Sequence, residues 1–168
     1  MKIKISNLSD GTHEFRFLEP VISIGLESPF EGNVEVEVKL TKAHNQLILD
    51  TTLLVNAVFD CDRCMTTVNK QLNADYKMVY LQDVEPVENN SDNIAYISSE
   101  ADVIDISNDV RDFAILAVPM KKLCSEDCKG LCPRCGKNLN EGECSCNKDE
   151  TDIRWKPLME LKNILNTN

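Results

Sequence analysis

An α+β fold is expected, with an antiparallel β-sheet or open barrel of about five to six strands, one long helix, a cysteine-rich segment and a C-terminal helix. Three observations predict it. Apolar and polar residues alternate two by two through residues 34–80, the period of a half-buried strand. Near residue 106 the period changes to that of a helix. Six of the eight cysteines then fall within 23 residues, 124–146.

In chain order, Val34, Val36, Val38 and Leu40 alternate with Glu35, Glu37, Lys39 and Thr41, a strand with one wet face. The polar stretch 42–46 reads as a hairpin turn. Leu47 to Phe59 is rich in Leu, Val, Ile and Thr and is apolar on both faces in places, as a central strand is. A third run sets Val68, Leu72, Ala74, Tyr76, Met78 and Tyr80 against Thr67, Asn69, Gln71, Asn73, Asp75 and Lys77. The pair Cys61 and Cys64 sits between the second and third strands, at a hairpin tip. Residues 82–93 are acidic, Asn-rich and carry Pro86, and read as a mobile loop. Residues 94–97 supply one more short strand.

Ile106, Val110, Phe113, Ala114 and Ala117 lie on one helical face. Asp105 or Ser107 can cap the start, Asp109 and Asp112 suit the early turns, and Pro119 ends the helix, which delivers the chain to Cys124. Pro157 opens a last helix with Leu158, Leu161 and Leu165 on one side. The organisation is one domain: residues 1–120 as sheet with packed helix (about 104–118), 121–150 as a cysteine-rich zinc-binding segment, and 151–168 as the C-terminal helix.

Charge restricts the partners. The net charge is −10. Residues 1–120 hold 9 basic and 20 acidic side chains, and residues 121–168 hold 9 and 8. Such a chain does not wrap nucleic acid by bulk electrostatics, because phosphate binding needs clustered Lys and Arg. A basic protein partner suits it better. No apolar stretch approaches a membrane span, and the start carries no signal-like apolar run, so a cytoplasmic location, with reduced thiols, is expected.

The cysteines follow Cys124-x3-Cys128-x3-Cys132-x2-Cys135-x8-Cys144-x-Cys146, with Cys61-x2-Cys64 far upstream. Short paired spacings bring thiolates to one ion, and Gly136 after Cys135 permits an unusual backbone angle. Eight thiols make two tetrahedral Zn2+ sites. One partition groups Cys61, Cys64, Cys124 and Cys128, and separately Cys132, Cys135, Cys144 and Cys146. Another groups Cys61 and Cys64 with Cys132 and Cys135, leaving Cys124, Cys128, Cys144 and Cys146. Ligand proximity favours the first, against which stands the tight Cys144-x-Cys146 spacing. Structural disulfides would need an oxidising compartment, and an iron–sulfur cluster is the other all-cysteine possibility. Catalytic zinc keeps a ligand position open and usually includes His or carboxylate. Only His13 and His44 exist, both on expected turns. Arg63, Lys121, Lys122, Lys129, Arg134 and Lys137 are placed to offset the negative thiolate centres. Asp60 and Asp62 are expected to face solvent, and Trp155 to cap the last helix against the core. No phosphate-binding glycine loop and no nucleophile–base pair is visible, so no catalytic residue is assigned.

The string Cys-Asp-Arg-Cys at 61–64, the Val118-Pro119 helix end, and the block from Cys124 through Cys132-Pro-Arg-Cys135-Gly-Lys-Asn-Leu-Asn140 resemble the bacterial YceD family, named for large ribosomal RNA subunit accumulation. The resemblance extends to Asp152-Ile153-Arg154 and the leucine-bearing segment after it, although isoleucine stands where the family pattern has proline. It implies a cytoplasmic bacterial protein in large-subunit biogenesis that supports 23S rRNA synthesis, processing or accumulation, and the lack of a catalytic motif in the chain makes a non-enzymatic factor the expectation. Its partner would be a large-subunit precursor or a basic ribosomal protein, with 23S rRNA engaged indirectly and neither membrane nor small-molecule substrate involved. The alternative is a zinc chaperone or reservoir serving zinc-ribbon ribosomal proteins.

Overall fold

β4 (Gln46–Asp60) lies at the centre of a five-stranded sheet ordered β2-β3-β4-β5-β6, in a computed structural model that describes residues 1–82, 93–146 and Arg154. Its neighbours are β3 (Phe30–Ala43) and β5 (Thr67–Gln82), both antiparallel to it. β2 (Gly11–Pro20) flanks β3, and β6 (Ile94–Ile97) flanks β5. A second sheet has two strands, β1 (Lys2–Lys4) and β7 (Val103–Asp105). A 3-10 turn, Val21–Ile24, and one helix, α1 (Ser107–Leu116), complete the described elements.

Alternation sets the faces. Val34, Val36, Val38 and Leu40 are buried beside Leu47, Leu49, Leu53 and Val55, while Glu35, Glu37 and Lys39 are exposed. The buried face packs under Ile3, Ile5, Leu26, Ile104, Ile106, Val110 and Ala114, contributed by the β1–β7 ribbon and its flanks, the segment after the 3-10 turn, and α1. The result is two layers around one core, each hiding its apolar side on the other. The β3–β4 turn closes at His44, whose φ of 50° is left-handed. Between Glu31 and Val34 the ladder shifts register, with Gly32 at φ 76° inside the irregularity. That bulge lets Phe30 rejoin the core face opposite Ala57.

Several expectations are corrected. The sheet is mixed, because β6 runs parallel to β5 from Val79↔Ile94 to Gln82↔Ile97. Alternation reveals a strand but not its direction, which the connection decides. The helix spans 10 residues rather than 104–118, since Val103–Asp105 are held extended by pairing with Lys2–Lys4. Ile106 occupies the cap position, and the Asp105 carboxylate instead accepts the Ser107 N–H at 3.0 Å. β2 and the β1–β7 ribbon are additional. His13 lies within β2, its Nε2 2.9 Å from the Ser9 carbonyl, and not on a turn. The C-terminal helix, Trp155 and most of the 82–93 loop fall outside the described residues.

Helix and sheet are joined by an aromatic and polar seam. Tyr76 stacks on Phe113 with ring centroids 3.9 Å apart and planes 5° from parallel. Tyr80 donates its hydroxyl to Asp109 Oδ2 at 2.5 Å. Burial drives both phenols upward in pKa and also raises the Asp109 carboxyl, against the Tyr80 hydrogen bond, which favours its charge.

Candidate metal centres

The β4–β5 hairpin is long, pairing without a break from Gln46↔Leu81 to Asp60↔Thr67, and it turns over residues 61–66. There the chain makes a tight knuckle. Met65 N–H donates to the Cys61 carbonyl at 2.9 Å, Cys61 N–H donates to the Thr66 carbonyl at 2.9 Å, and Met65 is left-handed at φ 58°. The same design recurs downstream. Gly136 N–H donates to the Cys132 carbonyl at 2.9 Å, Cys132 N–H donates to the Lys137 carbonyl at 2.8 Å, and Gly136 sits at φ 71°. Each C-x2-C pair thus turns its two sulfurs to one side and leaves N–H groups free to point at sulfur.

The sulfurs gather into two groups of four. Cys61, Cys64, Cys124 and Cys128 form one, and Cys132, Cys135, Cys144 and Cys146 the other, with the ligand atoms of each all within 4.8 Å of one another. Sγ–Sγ separations are 3.8 Å for Cys61–Cys128, 3.6 Å for Cys64–Cys124 and 3.4 Å for Cys132–Cys144. A disulfide needs about 2.0 Å. A tetrahedron with Zn–S bonds of about 2.3 Å has edges of about 3.8 Å. The donor chemistry and spacing therefore fit a four-thiolate metal ion in each group, and the grouping is that of the first partition. The one-residue gap between Cys144 and Cys146 is accommodated within a single group.

Backbone N–H groups prepare the thiols. Burial works to raise Cys61, but the N–H groups of Arg63, Cys124 and Cys64 outweigh it and bring the thiol down to about 6. Cys132 is likewise lowered to about 6, first by the Cys135 N–H and then by that of Arg134. Cys128 is lowered chiefly by the Asn140 amide, against burial. One thiol in each group is shifted the other way. Cys124 is pushed up to about 12, first by Cys128 and Cys64, and Cys146 to about 12, first by Cys135. A cation with a +2 charge would replace the thiol protons.

Residues around the first group clamp the hairpin tip. Asp62 N–H donates to the Lys122 carbonyl, and Lys122 N–H donates to Asp62 Oδ2, both at 2.7 Å. Arg63 Nη1 donates to the Cys128 carbonyl at 2.9 Å, and its own carbonyl accepts Leu131 N–H at 3.0 Å. Asp60 and Asp62 are exposed, as expected, and each also makes a bond: Asp62 is a strut to the 120s segment, and Asp60 accepts the Thr67 hydroxyl at 3.0 Å. Arg63 and Lys137 donate to carbonyls beside the cysteines, Arg63 to that of Cys128 and Lys137 Nζ to that of Glu143 at 2.8 Å. Cys61, Cys64, Cys128 and Cys132 are buried, while Cys124 and Cys135 are exposed. An open groove lined by Phe59, Lys70, Pro119, Lys121 and Leu123 reaches Cys124. Asn138, Asn140 and Thr66, whose side chains bond around the sulfurs, went unread in the sequence. The Asn138-Leu139-Asn140 spacing after Gly136 is the signal that could have pointed to them.

The family described as large ribosomal RNA subunit accumulation protein YceD matches residues 49–162. A chloroplastic protein of Arabidopsis thaliana, the large ribosomal RNA subunit accumulation protein YCED homolog 1, is 25% identical over 157 residues, covering 77% of this chain and 48% of its own length. Its namesake in Zea mays is 27% identical over 144 residues, covering 67% and 48%. An uncharacterized protein of Mycobacterium tuberculosis is 23% identical over 130 residues, covering 76% and 61%. The chain thus spans about half to three-fifths of the length of these relatives. No solved structure matches it. No described helix is long and apolar enough to cross a membrane. The matched stretch runs from the central strand through all eight cysteines, and the chain belongs to the family of large ribosomal RNA subunit accumulation protein YceD.

Proposed function

We propose that the chain is a zinc-stabilised, non-enzymatic factor in accumulation of large-subunit ribosomal RNA, acting as an adaptor for a basic ribosomal protein or a precursor particle. The observation that carries this reading is the pair of all-cysteine groups, the first of which pins the β4–β5 hairpin tip to the 120s segment. Four thiolates with tetrahedral spacing suit Zn2+, which would be held by Cys61, Cys64, Cys124 and Cys128, and by Cys132, Cys135, Cys144 and Cys146. A bound ion supplies folding free energy to segments with little core of their own. The chain's residues do the rest: Asp62 and Arg63 hold the tip in place, and the sheet presents a surface.

That surface is the outer face of β2–β5. By register Glu14, Glu35, Glu37, Asp50 and Asp75 share it with Arg16, Lys39 and Lys77. Arg16 pairs with Glu37 at 3.1 Å and Lys77 with Asp50 at 3.0 Å, leaving acidic groups in excess. A basic partner is steered to such a face, and free RNA is not. The test is the ratio of large- to small-subunit rRNA in cells lacking the protein, with rescue by wild-type and by Glu35→Lys/Glu37→Lys chains. Reduced large-subunit rRNA, restored only by the wild type, supports the adaptor. An unchanged ratio in the deletion strain removes the assembly role.

A second reading, zinc chaperone or reservoir, is favoured by one observation: each group has an exposed ligand, Cys124 or Cys135, through which metal could pass to a competitor. Transfer of radioactive zinc to an apo zinc-ribbon protein within minutes would support it. Retention over hours would leave the adaptor.

A further inference from the structure

The two cysteine groups share no ligand, yet a side chain on the stretch held by the second group bonds to a sulfur of the first. Asn140 lies on the stretch 136–143, whose ends are the second group's Cys135 and Cys144. Its Oδ1 accepts the Lys129 N–H at 2.8 Å. Because a backbone N–H only donates, that contact fixes the amide orientation and aims Nδ2 at Cys128 Sγ, 3.3 Å away, and at Asn138 Oδ1, 3.0 Å away. Asn138 in turn reaches the first knuckle, its Nδ2 3.5 Å from Thr66 Oγ1, which is 3.3 Å from Cys64 Sγ. The 136–143 stretch is otherwise tied to the first group's surroundings by the Leu139 N–H bond to the Gly130 carbonyl at 2.9 Å.

We infer that Asn140 is a positioning residue that couples the two metal centres. Filling the Cys132–Cys146 centre fixes both ends of the 136–143 stretch, and the order so gained presents the Asn140 amide to Cys128. The first centre then receives an N–H···S bond without the entropy loss of ordering its donor. Coupling is reciprocal, so a filled first centre also tightens the second. The inference rests on the reading that the groups hold metal, and it makes loading of the chain cooperative.

The experiment uses the full, reduced, metal-free chain titrated with Cd2+ against a competing chelator, with 113Cd resonances reporting each centre separately. Asn140→Asp retains the acceptor for Lys129 and removes the donor to sulfur. Removal of a side chain that orients a metal ligand typically weakens binding about 10–100-fold. That loss is expected at the first centre in Asn140→Asp. A loss of similar size is expected there in Cys144→Ser/Cys146→Ser, which cannot fill the second centre. Combining all three changes should weaken the first centre no further than the larger single effect. Wild-type affinity in Asn140→Asp, or losses that multiply in the combination, would overturn the inference. Should Asn140→Asp lose the near-UV signal of the Tyr76–Phe113 seam, Asn140→Ser takes its place under the same criteria. Failure of the wild type to bind two ions tightly is a separate result, which would sink the metal reading itself.

Discussion

Gly130 and Gly136 both adopt left-handed φ, at 75° and 71°, but their surroundings differ. A Cβ on Gly136 meets nothing within 4 Å, whereas one on Gly130 lands 3.1 Å from the Arg63 carbonyl oxygen. Alanine at Gly136 should therefore cost only the left-handed strain, about 1–2 kcal/mol. Alanine at Gly130 should cost more, because the carbonyl it pushes also accepts Leu131 N–H and belongs to the first knuckle. Thermal midpoints of the two variants with zinc in excess check the order, and a larger loss for Gly136→Ala would contradict it. Residue chemistry was partly legible in the sequence. The grouping of cysteines was legible at the level of pairs, since Cys61/Cys64, Cys124/Cys128, Cys132/Cys135 and Cys144/Cys146 each stay within one group. Asp62, Thr66 and Asn140 were not legible, because their partners at Lys122, Asn138 and Lys129 are chosen by the fold.

At the scale of elements, α1 is seated by two contacts of opposite character. The Tyr76 ring stacks on Phe113, but its Oη is buried without a hydrogen-bond partner among the described residues. Tyr76→Phe should consequently be neutral or stabilising by about 1 kcal/mol, since an unpaired buried hydroxyl contributes a desolvation penalty. Phe113→Ala, by contrast, should lose about 2 kcal/mol, less than full burial would cost because the ring is half-buried. Chemical denaturation of both variants separates the two claims, and a loss for Tyr76→Phe comparable to that of Phe113→Ala would refute the first. The Asp109 carboxyl titrates above its unfolded value because burial disfavours its charge. In the window above the ordinary carboxylate pKa the folded state holds more protons than the unfolded one. Stability from this group is therefore fully present in acid and falls as pH rises through the raised pKa. Asp109→Asn keeps an acceptor for Tyr80 and should flatten that decline. The wild-type and variant midpoints, compared across the acid range with metal in excess, test it; parallel curves would count against the assignment. The helix face was readable because five apolar positions repeat at helical spacing. The direction of β6 and the extended Val103–Asp105 were not, because pairing with distant Val79 and Lys2 decides them. β2 was readable in principle, Phe15 and Phe17 alternating with Glu14 and Arg16.

The whole molecule joins a charged sheet, whose stability comes from an apolar core, to an end with little core that is organised around sulfur. The small apolar cluster there is built on Cys61, Cys64 and Cys128, with Val68 and Leu123 packed against them. Without cations these thiols compete for protons, and their clamps at Asp62 and Arg63 lose the geometry that aligns them. Metal removal by a chelator should thus release the 121–146 segment to protease while β2–β5 stays protected, and restored zinc should reverse it. If the two centres are coupled through Asn140, release should follow one sigmoidal step. The most direct measurement of the central claim is elemental analysis of native protein purified without oxygen or added metal. The account predicts two zinc ions per chain, one for each cysteine group. One zinc per chain, or iron with a visible chromophore, would contradict it.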